Sequence, residues 1–179
     1  GDVSPRLLDQ LFERSGGNPL FLTQLSEVAR DRPGDEQLPG SLRALIAARL
    51  DALPLSQRQL LDNASVIGAS GPLVAFDRFA DEMRQSVSPG DVDALIEGGL
   101  LDVEDTWWRF RSDVVREVVY QTLTKSARAQ RHAGTAAVME SYSLAPIDQI
   151  AHHTAAAAEL VAEIGPIVAV PDDITDRAI

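Results

Sequence analysis

The stretch Leu100-Leu101-Asp102-Val103-Glu104-Asp105-Thr106-Trp107-Trp108-Arg109-Phe110-Arg111 decides how this chain is read. Positions 100–103 and 107–111 are short runs with strand character, joined by the polar turn Glu104-Asp105-Thr106. In the second run Trp108 and Phe110 alternate with Trp107, Arg109 and Arg111, so one side is apolar and the other mixed. An isolated hairpin is marginal in water. The Trp108/Phe110 side is therefore expected to pack on helices, and one of the two adjacent tryptophans must face outward.

Working back from the hairpin, Gly98-Gly99 ends a helix that starts at Ser88-Pro89-Gly90-Asp91 and turns Val92, Leu95 and Ile96 inward. A short helix spans about 73–83, and Gly68 to Pro72 reads as a turn. Ser56 and Gln59 have the spacing of a capping box for a helix carrying Leu60, Leu61, Ala64 and Ile67. Before Pro54, Ser41 can cap a helix with Leu42, Leu45, Ile46, Leu50 and Leu53 on one face. Residues 31–40 are a polar linker with proline and glycine. At the start, Ser4-Pro5 opens a helix with Leu7, Leu8, Leu11 and Phe12. Gly16-Gly17 stops it, and Asn18-Pro19 opens another with Leu20, Phe21, Leu25 and Val28.

Forward of the hairpin, Val114, Val115, Val118, Val119 and Leu123 line one side of a helix. An alanine-rich helix follows over about 125–143. Pro146 opens a further one containing His152 and His153. The tail from Gly165 is apolar and broken by proline, and its pattern specifies no element. The resulting fold class is mainly α: a small helical unit, then helices with a two-stranded wing in the manner of a winged helix, then more helices.

The chain has 179 residues, 45% of them hydrophobic and 24% charged, enough for one ordinary domain or two small ones. Its formal net charge is -11, which disfavours non-specific nucleic-acid binding by the chain as a whole. The charge is uneven. Arg109, Arg111, Arg116, Lys125, Arg128 and Arg131 share their stretch with only Asp113 and Glu117. That basic stretch can be read as a DNA contact, as a contact to a nucleotide or an acidic partner, or as a solvated face. The helix 56–67 carries only Arg58, beside Asp62, and so lacks a Lys/Arg ladder for DNA.

The absence of cysteine excludes disulfides, thiolate metal sites and cysteine nucleophiles, and suits a cytoplasmic location. No apolar run approaches a membrane span, so no membrane partner is expected. No signal peptide is visible. The start Gly1-Asp2-Val3-Ser4-Pro5 lacks a methionine, and both ends read as cut points. Adjacent His152 and His153 point about 100° apart on a helix, which favours packing over a metal. His132 reads as structural as well. The carboxylates look like caps, turns and solvated faces, and no Gly-x-Ser-x-Gly elbow surrounds Ser15 or Ser112. The chain is therefore expected not to be an enzyme by itself, with no catalytic residue and no metal.

Three stretches carry a resemblance. They are Glu13-Arg14-Ser15-Gly16-Gly17-Asn18-Pro19-Leu20-Phe21-Leu22, the run from Leu38-Pro39-Gly40-Ser41-Leu42 to Ala52-Leu53, and Phe110-Arg111-Ser112-Asp113-Val114-Val115-Arg116-Glu117-Val118-Val119-Tyr120, continued by Leu123, Arg131 and His132. In order and spacing they resemble the region after the ATPase core in STAND (AAA+-like) signalling NTPases. The likeness is to the actinobacterial kind, linked to nucleotidyl cyclase or LuxR-type DNA-binding domains, and it covers roughly residues 3–153.

The resemblance implies a layout and a function. Residues 1–37 would be the helical lid of a P-loop ATPase domain lying upstream. Residues 38–124 would be a winged-helix domain, and residues 125–179 the start of a helical, TPR-like sensor region. The chain would be a regulatory fragment of an ATP/ADP-dependent conformational switch that controls a cyclase or transcription-regulator output. ATP or ADP would be held by the parent protein. The partners would be the upstream P-loop domain and the downstream helical-repeat or output domain, and the pattern also admits a homo-oligomer. Nucleic-acid binding through the fragment is not expected. The alternatives are a DNA-binding winged-helix transcription factor and a helical protein–protein adaptor.

The resemblance also points to residues. Gly17-Asn18-Pro19 would lie against the nucleotide base, since glycine permits close approach and a helix N-terminus favours an anion. Read alone, the same triplet is a helix stop followed by a helix start. Ser112 stands where the family usually has a histidine directed at the phosphates. Serine can donate one hydrogen bond but brings no charge, and it also reads as a plain N-cap. Arg111 or Arg116 could supply the charge instead.

Overall fold

The computed structural model describes residue 22 and residues 40–142 and 145–178. The reading of residues 1–21 and 23–39, including Gly17, Asn18 and Pro19, therefore lies outside the described residues. Leu22 is helical and packs on the main core.

Between residues 40 and 178 the chain forms eight helices and three short strands. Helix α1 is Gly40–Asp51 and α2 is Leu55–Ile67. Strand β1, Ser70–Pro72, precedes α3, Val74–Glu82, and α4, Pro89–Glu97. Strands β2, Leu101–Glu104, and β3, Trp107–Phe110, form the hairpin. Then come α5, Asp113–Thr122, α6, Lys125–Tyr142, α7, Ile147–Ile164, and the single turn α8, Ile174–Arg177. The chain is thus mainly helical with one small antiparallel sheet. No helix of the described residues is long and apolar enough to cross a membrane.

The hairpin forms as its pattern requires. Asp102 pairs with Arg109 and Val103 with Trp108 across β2 and β3. Asp105 takes the turn at φ 54, a conformation aspartate tolerates better than most residues. Trp108 is wholly buried, stacks on Phe76 at 4.9 Å and meets Phe110 edge-on at 5.9 Å. Trp107, on the other face, is 56% exposed. Leu60, Leu61, Leu95, Leu100, Leu101, Val114, Val118 and Val119 complete this core.

Three details depart from the sequence pattern. Residues 70–72, read as turn, are strand β1, which adds to β3 so that the sheet order is β1-β3-β2. A three-residue strand containing Gly71 and Pro72 is too short to show alternation. Gly71 stands opposite Trp108, and a Cβ there would lie 3.2 Å from the indole, so the backbone itself is the packing surface. Second, Ser56 does not cap α2. Pro54 occupies the N-cap position, and the Ser56 hydroxyl donates instead to Asp91 Oδ1 at 2.8 Å. The capping box forms at Ser88, whose backbone N–H and hydroxyl both reach Asp91 Oδ2, at 2.9 and 3.0 Å. Burial alone would raise the Asp91 pKa, but these bonds from Ser88 and Ser56 outweigh it and hold the carboxyl below its ordinary value. Third, Leu45 of the assigned α1 face is 49% exposed, while Ile46 and Leu50 are buried and Leu53 packs against the core.

A second cluster lies between the last helices. Lys125 pairs with Glu163 and His132 with His153, so α6 and α7 run antiparallel. Ala129, Ala133 and Ala157 let them approach closely, and Val170 and Ile174 from the tail cover the pair.

Candidate functional site

Of the residues singled out from the sequence for nucleotide contact, Arg111 and Ser112 are described. They are neighbours that face different surroundings. Ser112 is 3% exposed and takes the N-cap position of α5 with an extended backbone, φ -142 and ψ 127. Its hydroxyl makes no capping bond to the helix. Arg111 is exposed and is held across the hairpin by Asp102 Oδ1, at 3.1 Å from Nε and 2.7 Å from Nη2. The hydrogen bond and charge of Asp102 raise its pKa further. Gly99, at φ 66, leaves room for the guanidinium, since a Cβ there would come within 3.2 Å of it. Arg111 therefore already has a carboxylate, and any phosphate would have to displace it.

Most of the remaining basic residues of that stretch also have a partner, though Arg109 and Lys125 stay exposed. Arg109 approaches Asp102 at 3.8 Å. Arg128 lies over the Tyr120 ring at 4.6 Å and donates to the carbonyls of Tyr120 and Gln121, capping the end of α5. Lys125 pairs with Glu163. Apart from Arg116, whose buried Nε has no acceptor among the described residues, the basic residues of this stretch thus each meet a carboxylate or a carbonyl.

Arg131 is the most consequential of these side chains. It is 8% exposed and reaches from α6 into α2, which presents Asp62 and Asn63 inside a fully buried run from Leu60 to Val66. Arg131 Nε donates to Asn63 Oδ1 at 3.1 Å, Nη2 lies 3.6 Å from Asp62 Oδ2, and Nη1 donates to the Ala127 carbonyl at 3.3 Å. Asp62 also receives Arg58 at 2.9 Å, and Asn63 donates to Gln85 at 2.7 Å. This network joins the helix–sheet unit to the helical pair. Its polar groups are satisfied, as buried groups must be. From the sequence Arg131 is a member of the basic stretch and of the third motif and Asp62 only the neighbour of Arg58, while Asn63 carries no reading. The available signal was two polar residues set directly between Leu61 and Ala64 on a helix otherwise read as a core element.

Beside it lies a histidine cluster. His132 Nδ1 and His153 Nδ1 are 2.9 Å apart, and Tyr120 Oη is 3.0 Å from His132 Nε2. One ring must donate to the other, so the accepting ring is neutral at Nδ1 and its tautomer is fixed by the bond. Burial and the neighbouring positive groups push His132 down to about 3 and His153 down to about 4. His152 is exposed, its ring 5.2 Å from that of His153. His132 and His153 are packed, as expected, whereas His152 is exposed. Among the described residues no group of three or more His, Cys, Asp or Glu could hold a metal.

A cleft of about 290 Å³ opens between the two units. Pro72, Ala75, Phe79 and Trp107 line one side, and Val138 and Met139 of α6 the other. Set against known proteins, the chain matches no family model, no curated protein and no solved structure. The reading of its function therefore rests on its own residues.

Proposed function

We propose that this chain is a regulatory fragment of a nucleotide-switched signalling protein of the STAND type. Residues 1–37 would act as the lid of an upstream P-loop ATPase domain, 38–124 as a winged helix, and 125–179 as the start of a helical sensor region. ATP or ADP would be bound by the parent protein, with Gly17-Asn18-Pro19 against the base and Ser112 near the phosphates. The fragment itself would perform no bond chemistry. Its contribution would be differential contact between two arrangements, which is what a ligand-driven switch requires.

The observation that carries this reading is the polar seam between α2 and α6. Arg131, Asp62 and Asn63 join two units that have separate apolar clusters. The junction also has apolar contacts, Phe79 and Met83 lying against Gly134 of α6, and a mixed junction of this kind resembles transient interfaces more than a continuous core does. Support for the winged helix comes from the order α2-β1-α3-α4-β2-β3 and the sheet order β1-β3-β2. Against DNA recognition stands α4, which carries Asp91, Asp93 and Glu97 and no lysine or arginine.

The test is calorimetric ADP binding by a longer chain that includes the expected P-loop domain, comparing wild type with Pro19→Ala. The proposal expects tight binding that weakens in the variant. No ADP binding at all would move the assignment to the adaptor or the DNA-binding protein.

A further inference from the structure

The cleft between the two units differs from the polar seam in one respect: no ionisable side chain lines it. Trp107, Phe79 and Pro72 belong to its wall on the helix–sheet side, and Val138 and Met139 of α6 to the other. Pro146 and Gln149 join the lining from the start of α7. Trp107 is 56% exposed, so an aromatic ring of the wall stays open to solvent. An apolar surface left open in a concave place, with a few polar groups beside it, is the usual form of a small-molecule site.

The lining sets the chemistry of what can fill it. A charged group would lose hydration there and meet no counter-charge on the wall, so the ligand is neutral. The rings of Trp107, Phe79, Pro72 and Pro146 and the Met139 thioether offer flat, polarizable contacts, which suit a planar ring. The polar groups are few. The Thr135 hydroxyl already donates to the Arg131 carbonyl at 2.7 Å. The Ser70 hydroxyl and the Gln149 amide belong to exposed residues and have no hydrogen-bond partner among the described residues, so they remain for a polar substituent. A volume of about 290 Å³ lies at the lower edge of the range for ligand pockets, which limits the ligand to about one or two rings.

We propose that this cleft binds a small, neutral aromatic molecule carrying an amide-like group. Its ring lies between Trp107 and Met139, and its polar edge meets Gln149 and Ser70. An amide complements the Gln149 amide, each offering the other a donor and an acceptor. Because the wall comes from both units, the bound ligand touches both and favours the joined arrangement over one in which they part. The site is built from described residues alone, so it does not depend on the ADP reading or on any upstream domain.

The experiment adds benzamide to the 179-residue chain and follows its two tryptophan indole N–H and two methionine methyl signals by NMR. Benzamide is expected to shift Trp107 and Met139 saturably, with a dissociation constant on the order of a millimolar, while Met83, outside the lining, moves less. Benzoate and benzamidinium, the same ring with a charge, are expected to bind about tenfold more weakly. The cation is the stricter control, because a net charge of -11 attracts it. Cyclohexanecarboxamide, which keeps the amide and loses the aromatic ring, should bind several-fold more weakly. Trp107→Ala and Gln149→Leu, both at exposed positions, are each expected to weaken benzamide binding about fivefold or more. The absence of a saturable shift, equal shifts at Met83 and Met139, equal binding of benzamidinium, or unchanged affinity in the two variants would overturn the proposal. So would a Trp107 signal that follows protein concentration and ignores benzamide, since a second copy would then cover the wall.

Discussion

Removing the Asp62 carboxylate tests whether the seam couples the two units. In Asp62→Ala, Arg58 loses an i,i+4 partner but keeps Thr122 at 2.7 Å and Asp51 at 3.4 Å. That part of the loss is small, about 0.3–0.5 kcal/mol. Arg131 loses more. It keeps two neutral acceptors, Asn63 and the Ala127 carbonyl, but its charge is left buried with no counterion. Breaking a fully buried pair costs about 3–5 kcal/mol. The Asp62 contact is long, at 3.6 Å, which places the total near the lower end, at about 3 kcal/mol. Replacing both partners, as Asp62→Leu with Arg131→Met, removes the stranded charge and should recover most of that loss. The assay is urea unfolding followed by tryptophan fluorescence, which reports Trp108 in the helix–sheet core, and by circular dichroism, which reports all helices. In wild type the two transitions should coincide. In Asp62→Ala they should separate as α6 and α7 release first. A loss below about 0.5 kcal/mol with coincident transitions would refute the claim that this network holds the units together.

Other outcomes follow from the same packing. His132 and His153 are neutral when folded and titrate near the ordinary histidine value when unfolded. The unfolded chain therefore binds more protons below about pH 6.5, and stability should fall from there toward pH 4, on the order of 2 kcal/mol per histidine by pH 5. Urea midpoints measured across that range check this, and His153→Gln should flatten the slope. Gly71→Ala should cost about 1–3 kcal/mol, because its Cβ would meet a wholly buried indole ring at 3.2 Å; a thermal melt unchanged from wild type would contradict the close approach. Ser88→Ala should cost about 1 kcal/mol by removing the hydroxyl that faces Asp91, whereas Ser56→Ala should act through the link to α4 rather than through helix capping. Amide exchange in α4 and in the first turn of α2 separates those two effects.

The parts of the fold legible in the sequence are those set by local periodicity. Trp108 and Phe110 alternate with exposed neighbours, and the valines of α5 recur at helical spacing, so a pattern a few residues long identifies the buried face. The start of α4 is likewise written in Ser88-Pro89-Gly90-Asp91. What escaped depends on distant partners. Strand β1 exists because β3 has a free edge 35 or more residues later, and Ser70-Gly71-Pro72 has no strand signal of its own. Ser56 has the spacing of a cap, but its acceptor lies on another helix 35 residues away. The local excess of basic residues suggested a charged face, yet the acceptors for Arg111, Arg128 and Arg131 come from the hairpin, the end of α5 and α2. Charge counting along the chain cannot see those contacts. Of the residues proposed for nucleotide contact, Arg111 is bonded to Asp102 and Ser112 is buried, while Gly17-Asn18-Pro19 lies outside the described residues.

The central claim is that nucleotide state changes the relation between the helix–sheet unit and the helical pair. Hydrogen–deuterium exchange of the longer chain, in saturating ADP and then ATP, tests it most directly. The account predicts faster exchange with ATP in α2 around Asp62 and in α6 around Arg131, with the Trp108 core unchanged. Identical exchange across the seam in the two states, with both nucleotides bound, would contradict it.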